Sequence, residues 1–343
     1  MWTELILWGA LAAGIVLAIP LLLIASQRMV PMAGAGDVGV DLTVPIAVSV
    51  KKAPPTGQVL MRDGFALQCR RYATSGRDVP LIVMVHSSAW HGVQFHDLAS
   101  SLSDVADVLV PDLRGHGPAP GRRGDVTYIG QLEDDIADLI ADQVRPGQRV
   151  MMVGHSVGGG FVLRMAGGEH GALIDRVVLL APFLNHFAAT MRRTTSAWVR
   201  LMVRRLVGLA LLNTLGIRAL NHLPVVQFNM PPEILGGPQG DAVTTFYTYR
   251  LDRSYLPRND FRRDIAALPP FTVVVGTADE AFYAEAYAPL MRAVTDRGLY
   301  HIVPGVGHMA IVDAPETRAA IRAALHALEG RRDAICSTEG VPT

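Results

Sequence analysis

Cysteine is close to absent. Among 343 residues only Cys69 and Cys336 carry a thiol, far apart in the chain and outside any Cys-x-x-Cys or Cys/His spacing. That argues against a disulfide framework and against a zinc site. Cys69 falls in a strand-like run, where a buried free thiol is the common outcome. An excess of either charge is lacking too: 31 Lys and Arg stand against 31 Asp and Glu, so nothing electrostatic points to nucleic acid. Charged residues make up 18%, below the roughly 25% of an average globular chain, while half the residues are hydrophobic. A largely disordered chain is excluded, and there is ample apolar material for a large core. No internal repeat is visible.

Charge is missing altogether from Leu5 to Gln27. About 20 apolar residues suffice to cross a bilayer, and Pro20 is better tolerated in a membrane helix than in a soluble one. The stretch reads as an uncleaved, single-pass membrane anchor over 1–27. A cleaved secretory signal is the alternative, but the leading Met-Trp-Thr-Glu has no Lys or Arg and carries an acid. A buried core helix is a third reading. Arg28 directly after the stretch, with only Glu4 before it, favours a cytoplasmic catalytic domain. Residues 28–57, rich in Gly, Pro and Val, read as a linker.

From there strand-like and helix-like segments alternate. Short apolar runs at 81–85 (LIVMV), 108–110, 149–153, 176–180, 271–275 and 300–303, after an early strand at 64–72, fit a mostly parallel sheet covered on both faces. Between them, 128–140 places Leu132, Ile136, Leu139 and Ile140 on one helical face, and 315–328 groups Ile321, Leu325 and Leu328. The expectation is an α/β fold with right-handed crossovers. One block breaks the alternation. About 90 residues separate the strands near Ala181 and Phe271, against the 2–6 of an ordinary connection. This predicts a helical cap or lid at 186–262, inserted into a core of 58–185 and 263–330, with a loose tail at 331–343. Acids are absent from Arg176 to Pro232, while seven arginines are present. On a helix drawn through 193–206, Arg193, Arg200 and Arg204 share one face, and Trp198, Val199, Met202, Val203 and Leu206 another.

Gly154-His155-Ser156-Val157-Gly158 fits G-x-S-x-G, placed between a buried strand and a helical stretch. Flanking glycines there permit a strained turn that lifts a serine hydroxyl above the sheet. A serine needs a base, and the base an orienting acid. Asp279 follows the strand at 271–275, and His308 follows the next strand, in the order Ser, acid, His. Glu280 is the alternative acid. Two backbone N–H groups must face the oxyanion: those of Val157, next to the nucleophile, and of Ser88, in the loop after LIVMV. His86, His91 and His96 recur every five residues without a carboxylate or a known metal spacing, so no metal is expected.

These residues resemble the α/β-hydrolase fold over about 58–328. More narrowly they are similar to its monoacylglycerol lipase and lysophospholipase branch, which includes the serine aminopeptidase-like hydrolases. The likeness rests on HSSAWHGVQFHDLASSL (86–102), PDLRGHGPAPGRRG (111–124), GHSVGG, GTADEAF and PGVGH. It implies Ser156 as nucleophile, Asp279 as orienting acid and His308 as base, with the Asp112–Gly117 loop buttressing the oxyanion loop. Ser87 stands where that branch usually has Gly.

A serine nucleophile implies an acyl-serine intermediate, hence an ester, thioester or amide substrate and no external cofactor. The anchor and the Trp- and Met-bearing cap tilt the reading toward lipid-like esters, monoacylglycerol or lysophospholipid, with Trp90, Trp198 and Met202 as candidate substrate contacts and the arginine face beside an anionic leaflet. A cap helix with ordinarily solvated arginines is the plainer reading. A short-chain esterase, amidase or acyltransferase with the same triad remains open. So does a catalytically silent binding protein, against which the complete, ordered triad argues.

Overall fold

In the computed structural model the described residues are 1–32, 53–76, 78–192 and 198–336, without the side chains of 5–7, 9–13, 15 and 329–336. Most of the linker, Arg193 and the last residues therefore lie outside the description. Helix α1 (Trp2–Ala25) leads in. An eight-stranded sheet follows, formed by β1 (Gly57–Leu60), β2 (Ala66–Tyr72), β3 (Leu81–Val85), β4 (Asp107–Pro111), β5 (Val150–His155), β6 (Arg176–Leu180), β10 (Phe271–Gly276) and β11 (Gly298–Val303). Its order is β1-β2-β4-β3-β5-β6-β10-β11. Strands β1 and β2 are antiparallel, β2 runs antiparallel to β4, and the rest are parallel. Every residue of β3, β4, β5 and β10 is buried, which is why each is built around a short apolar run. Helices α2 (His96–Ser100), α3 (Gln131–Gln143) and α4 (Val157–Ala166) connect the first half of the sheet.

The insertion between β6 and β10 departs from a purely helical cap. It contains α5 (Val203–Thr214), α6 (Pro232–Leu235) and α7 (Tyr249–Tyr255), but also β7 (Val199–Leu201), β8 (Pro224–Phe228) and β9 (Phe246–Thr248), paired antiparallel. The helix expected through 193–206 begins only at Val203, because Val199-Arg200-Leu201 alternate as a strand. The proposed common face of Arg200 and Arg204 therefore does not exist. Helices α8 (Phe261–Ala267), α9 (Tyr287–Arg292) and α10 (Pro315–Cys336) complete the core. The last of these runs on through residues expected to be a loose tail.

Helix α1 covers the stretch read as a membrane anchor. Among the described residues, no helix is long and apolar enough to cross a membrane. What is visible is its packing: α1 lies against the cap helix α5, burying Ile24 while Trp8, Val16, Ile19 and Leu22 stay exposed.

Candidate active site

Strand β5 ends at His155 and α4 starts at Val157, so Ser156 is the single residue of the turn between them. Its backbone sits at φ 55°, ψ −121°, a conformation L-residues avoid. Tight packing holds it there. The Ser156 N–H donates to the Leu180 carbonyl at 2.9 Å, and the Ser156 carbonyl accepts from Phe183 N–H at 2.8 Å. Gly158 explains one glycine of the motif: a Cβ there would lie 2.2 Å from the His86 carbonyl oxygen and 2.4 Å from that of Val85. Any side chain would drive α4 away from β3 and take Ser156 with it.

Loops after β10 and β11 bring the other two groups. The Ser156 hydroxyl lies 3.0 Å from His308 Nε2, and His308 Nδ1 lies 2.8 Å from Asp279 Oδ2. The second oxygen of Asp279 accepts N–H bonds from Ala281 and Phe282, each at 2.8 Å. Burial pushes the Asp279 carboxyl up, but the His308 charge and hydrogen bond, with those two amides, outweigh it and leave the pKa below its ordinary value. Burial pulls His308 down, and Asp279, helped by Glu280, overrides it and raises the imidazole above 6.5. Glu280 has a different station from that of an orienting acid: it accepts the His308 main-chain N–H at 2.8 Å. The arrangement can take a proton from the serine and keep the resulting imidazolium stabilised.

Ser88 and Val157 line the same cavity as Ser156 and His308. Val157 is the first residue of α4, and the leading N–H groups of a helix have no acceptor within it. On either side of Ser88 the amides are committed: Ser87 N–H to Gln94 Oε1 at 2.9 Å, and Ala89 N–H to the Tyr247 hydroxyl at 2.6 Å. The cavity, about 770 Å³, is walled largely by apolar side chains of the core and cap, including Phe183, Met191, Val226, Phe228 and Phe282.

Comparison with known proteins bears on the family and the fold. A model of the alpha/beta hydrolase family matches residues 82–321. The chain belongs to the alpha/beta hydrolase family. An uncharacterized protein of Mycobacterium tuberculosis is 33% identical over 134 residues, 38% of this chain and 36% of that protein. The match thus spans about a third of that relative's length. Human monoglyceride lipase is 25% identical over 82% of this chain and 92% of its own. Among solved structures, a membrane phospholipase A described as a bacterial virulence factor superposes with TM-score 0.55 at 18% identity, over 96% of this chain and 98% of that one. That likeness concerns the fold.

Three buried histidines of this alpha/beta hydrolase hold the site from behind. His155, whose pKa burial and the neighbouring His308 push down to about 3, is neutral. Its Nδ1 accepts from the Gln94 amide at 2.6 Å, and its Nε2–H donates to the His308 carbonyl at 2.9 Å. Gln94 Oε1 also accepts from the Ser87 hydroxyl at 3.0 Å. Ser87, in a place where the branch usually has Gly, is thereby pinned, and the loop carrying Ser88 is linked through Gln94 and His155 to the backbone of the His308 loop. His86, lowered by burial to about 4, accepts from Leu113 N–H at 3.1 Å. His116, also driven neutral by burial, meets the Tyr247 hydroxyl at 2.7 Å. Through Tyr247 the cap strand β9 reaches the loop carrying Ser88 and Ala89.

Of the candidate substrate contacts, Trp90 and Trp198 line the cavity. Met202 does not: it is fully buried at the start of α5, its N–H bonded to the Val225 carbonyl at 2.8 Å. Trp198 and Met202 share no helical face, because Val199–Leu201 between them is a strand. Among the five-spaced histidines, His91 faces Gln239 at 2.8 Å and His96 faces Tyr72 at 2.9 Å, so each serves a separate partner. Gln94 lies within the 86–102 segment that carries the family likeness, and Tyr247 lies outside the quoted motifs; the sequence assigns a role to neither.

Proposed function

We propose that the protein is a serine ester hydrolase for lipid-like acyl esters, of the monoacylglycerol or lysophospholipid kind. The observation carrying this reading is that the Ser156–His308 pair opens into a cavity whose wall is mainly apolar and which is large enough for a long acyl chain. Ser156 Oγ attacks the ester carbonyl while its proton passes to His308 Nε2. The carbonyl oxygen, now negative, lies against the N–H groups of Ser88 and Val157. The acyl C–O bond then breaks, and His308 returns its proton to the departing alcohol. Water, deprotonated by His308, repeats the attack on the acyl-serine and releases the fatty acid and free Ser156. Asp279 keeps Nδ1–H pointed inward and balances the imidazolium. The resemblance to human monoglyceride lipase supports an acylglycerol as substrate.

With purified wild type and an ester series from two to sixteen carbons, turnover is expected to peak at long chains. A peak at two to four carbons would leave the triad in place and end the lipid reading.

The same reading places the protein at a membrane through α1. Val203, Val207 and Leu211 of α5, with Leu215 just past its end, stay exposed at four-residue spacing, giving the cap an apolar face to lay on lipid. The full-length protein should remain with membranes through carbonate washing. Release at a mass lacking about 25 residues would indicate a cleaved signal instead.

A further inference from the structure

Three arginines of the acid-free stretch, Arg200, Arg204 and Arg205, donate to carbonyl oxygens at or just beyond the end of α1. Arg205 is buried, and among the described residues it forms no ion pair with a carboxylate. Its guanidinium donates to the carbonyls of Ile24 (3.3 Å), Gln27 and Pro224 (3.0 Å), and its main-chain N–H donates to Gln27 Oε1 at 3.1 Å. Arg204 reaches the Ser26 carbonyl at 3.2 Å. The last carbonyls of a helix carry partial negative charge and lack intrahelical donors, so guanidinium groups suit them. One turn earlier the helices touch closely: a Cβ at Gly208 would lie 2.6 Å from the Pro20 carbonyl oxygen and 2.8 Å from the Ile24 side chain.

The segment leaving α1 then crosses the back of the cap sheet. In the β7–β8 pairing, Val199 faces Phe228, Arg200 faces Gln227 and Leu201 faces Val226. Alternate residues of a strand point to opposite faces. Val199, Leu201, Val226 and Phe228 line the cavity. Arg200 and Gln227, between them, turn the other way. Gln227 Oε1 accepts from Val30 N–H at 3.1 Å and its amide donates to the Val30 carbonyl at 2.8 Å, a two-point grip on one backbone residue. Arg200 joins Gln227 Oε1 at 2.7 Å to the Arg28 carbonyl at 3.3 Å. One layer of sheet thus separates residues 28–30 from the space where an acyl chain would lie.

We propose that the segment from Ile24 to Val30 is a positioning element for the acyl cavity, with Gln227, Arg200 and Arg205 as the residues through which it sets chain-length selectivity. This rests on reading the cavity as an acyl site. Stitching the outer face of β7 and β8 fixes where their inner side chains stand, so the attachment helix and the substrate wall are one mechanical unit. Long chains reach this wall, whereas an acetyl group at Ser156 does not.

The test uses the full chain in detergent micelles, comparing kcat and KM for two-carbon and sixteen-carbon esters in wild type and Gln227→Leu. We expect KM for the long ester to rise on the order of tenfold, the loss of one to two hydrogen bonds' worth of positioning, with kcat and KM for the short ester within twofold of wild type. Gln227→Glu keeps the acceptor for Val30 N–H and should recover part of the long-chain KM. Arg200→Met, at a half-buried position, carries the same test if Gln227→Leu does not fold. Unchanged long-chain KM in a folded variant overturns the proposal, and so does an equal loss for both esters, which would mark a merely structural contact. Failure of wild type to hydrolyse any ester would instead remove the reading of the cavity on which it rests.

Discussion

Ser156→Ala should lower kcat for ester hydrolysis on the order of 10⁵-fold, leaving only what the oxyanion donors and binding supply. The substitution removes a single oxygen, the one 3.0 Å from His308 Nε2. Alanine meets the same backbone strain at φ 55° as serine does, and no buried partner beyond the imidazole loses a bond. Stability should therefore change by less than about 1 kcal/mol, so the loss is readable as chemistry. A fluorophosphonate probe gives the matching covalent readout: stoichiometric labelling of wild type at Ser156, none of the variant. Should the variant keep a tenth of the activity, or be labelled elsewhere at the wild-type rate, Ser156 would not be the nucleophile.

The parts of the fold most legible in the sequence are those where burial is total. Strands β3, β4, β5 and β10 are covered on both faces, so their composition alone marks them. The elbow is legible because its backbone demands particular residues, and Asp279 and His308 because each lies in the loop after a strand. What escaped notice joins residues remote in the chain or too few to show a period. Strand β7 has three residues, and its alternation of Val199, Arg200 and Leu201 suits a helix face as well over so short a window. Tyr247 meets Ala89, and Gln94 meets His155, across separations that leave no trace in local sequence. The acid-free arginine cluster shows in the sequence as a pattern, but Arg204 and Arg205 pair with main-chain carbonyls at the end of α1 and just after it. Every residue carries such a group, so nothing in a sequence singles out the ones that will be left unpaired.

Asp279→Asn should lower kcat about 10⁴-fold and displace the pH profile as well, and the displacement identifies the mechanism. His308 works as a base only when neutral, so kcat/KM rises with pH through the imidazole pKa of the free enzyme. In wild type that pKa is raised above 6.5 because Asp279 overrides the effect of burial. Once the carboxylate is gone, burial is the dominant remaining influence and only Glu280 opposes it, so the acid limb must move to lower pH. The amide can also donate to Nδ1, turning the imidazole so that its N–H faces Ser156 and cannot accept the hydroxyl proton. That accounts for a lower plateau even where the histidine is fully neutral. Stability carries the same signature. His308, raised, contributes stability that is complete below 6.5 and lost as pH rises through its folded pKa; Asp279, lowered, contributes above 3.8 and loses it as pH falls through its own. The substitution should therefore destabilise more at pH 5, inside the window where both are charged, than at pH 9, by denaturant unfolding. An acid limb that stays in place, with equal destabilisation at both pH values, would mean that Asp279 holds its loop through the Ala281 and Phe282 amides and does not tune the base.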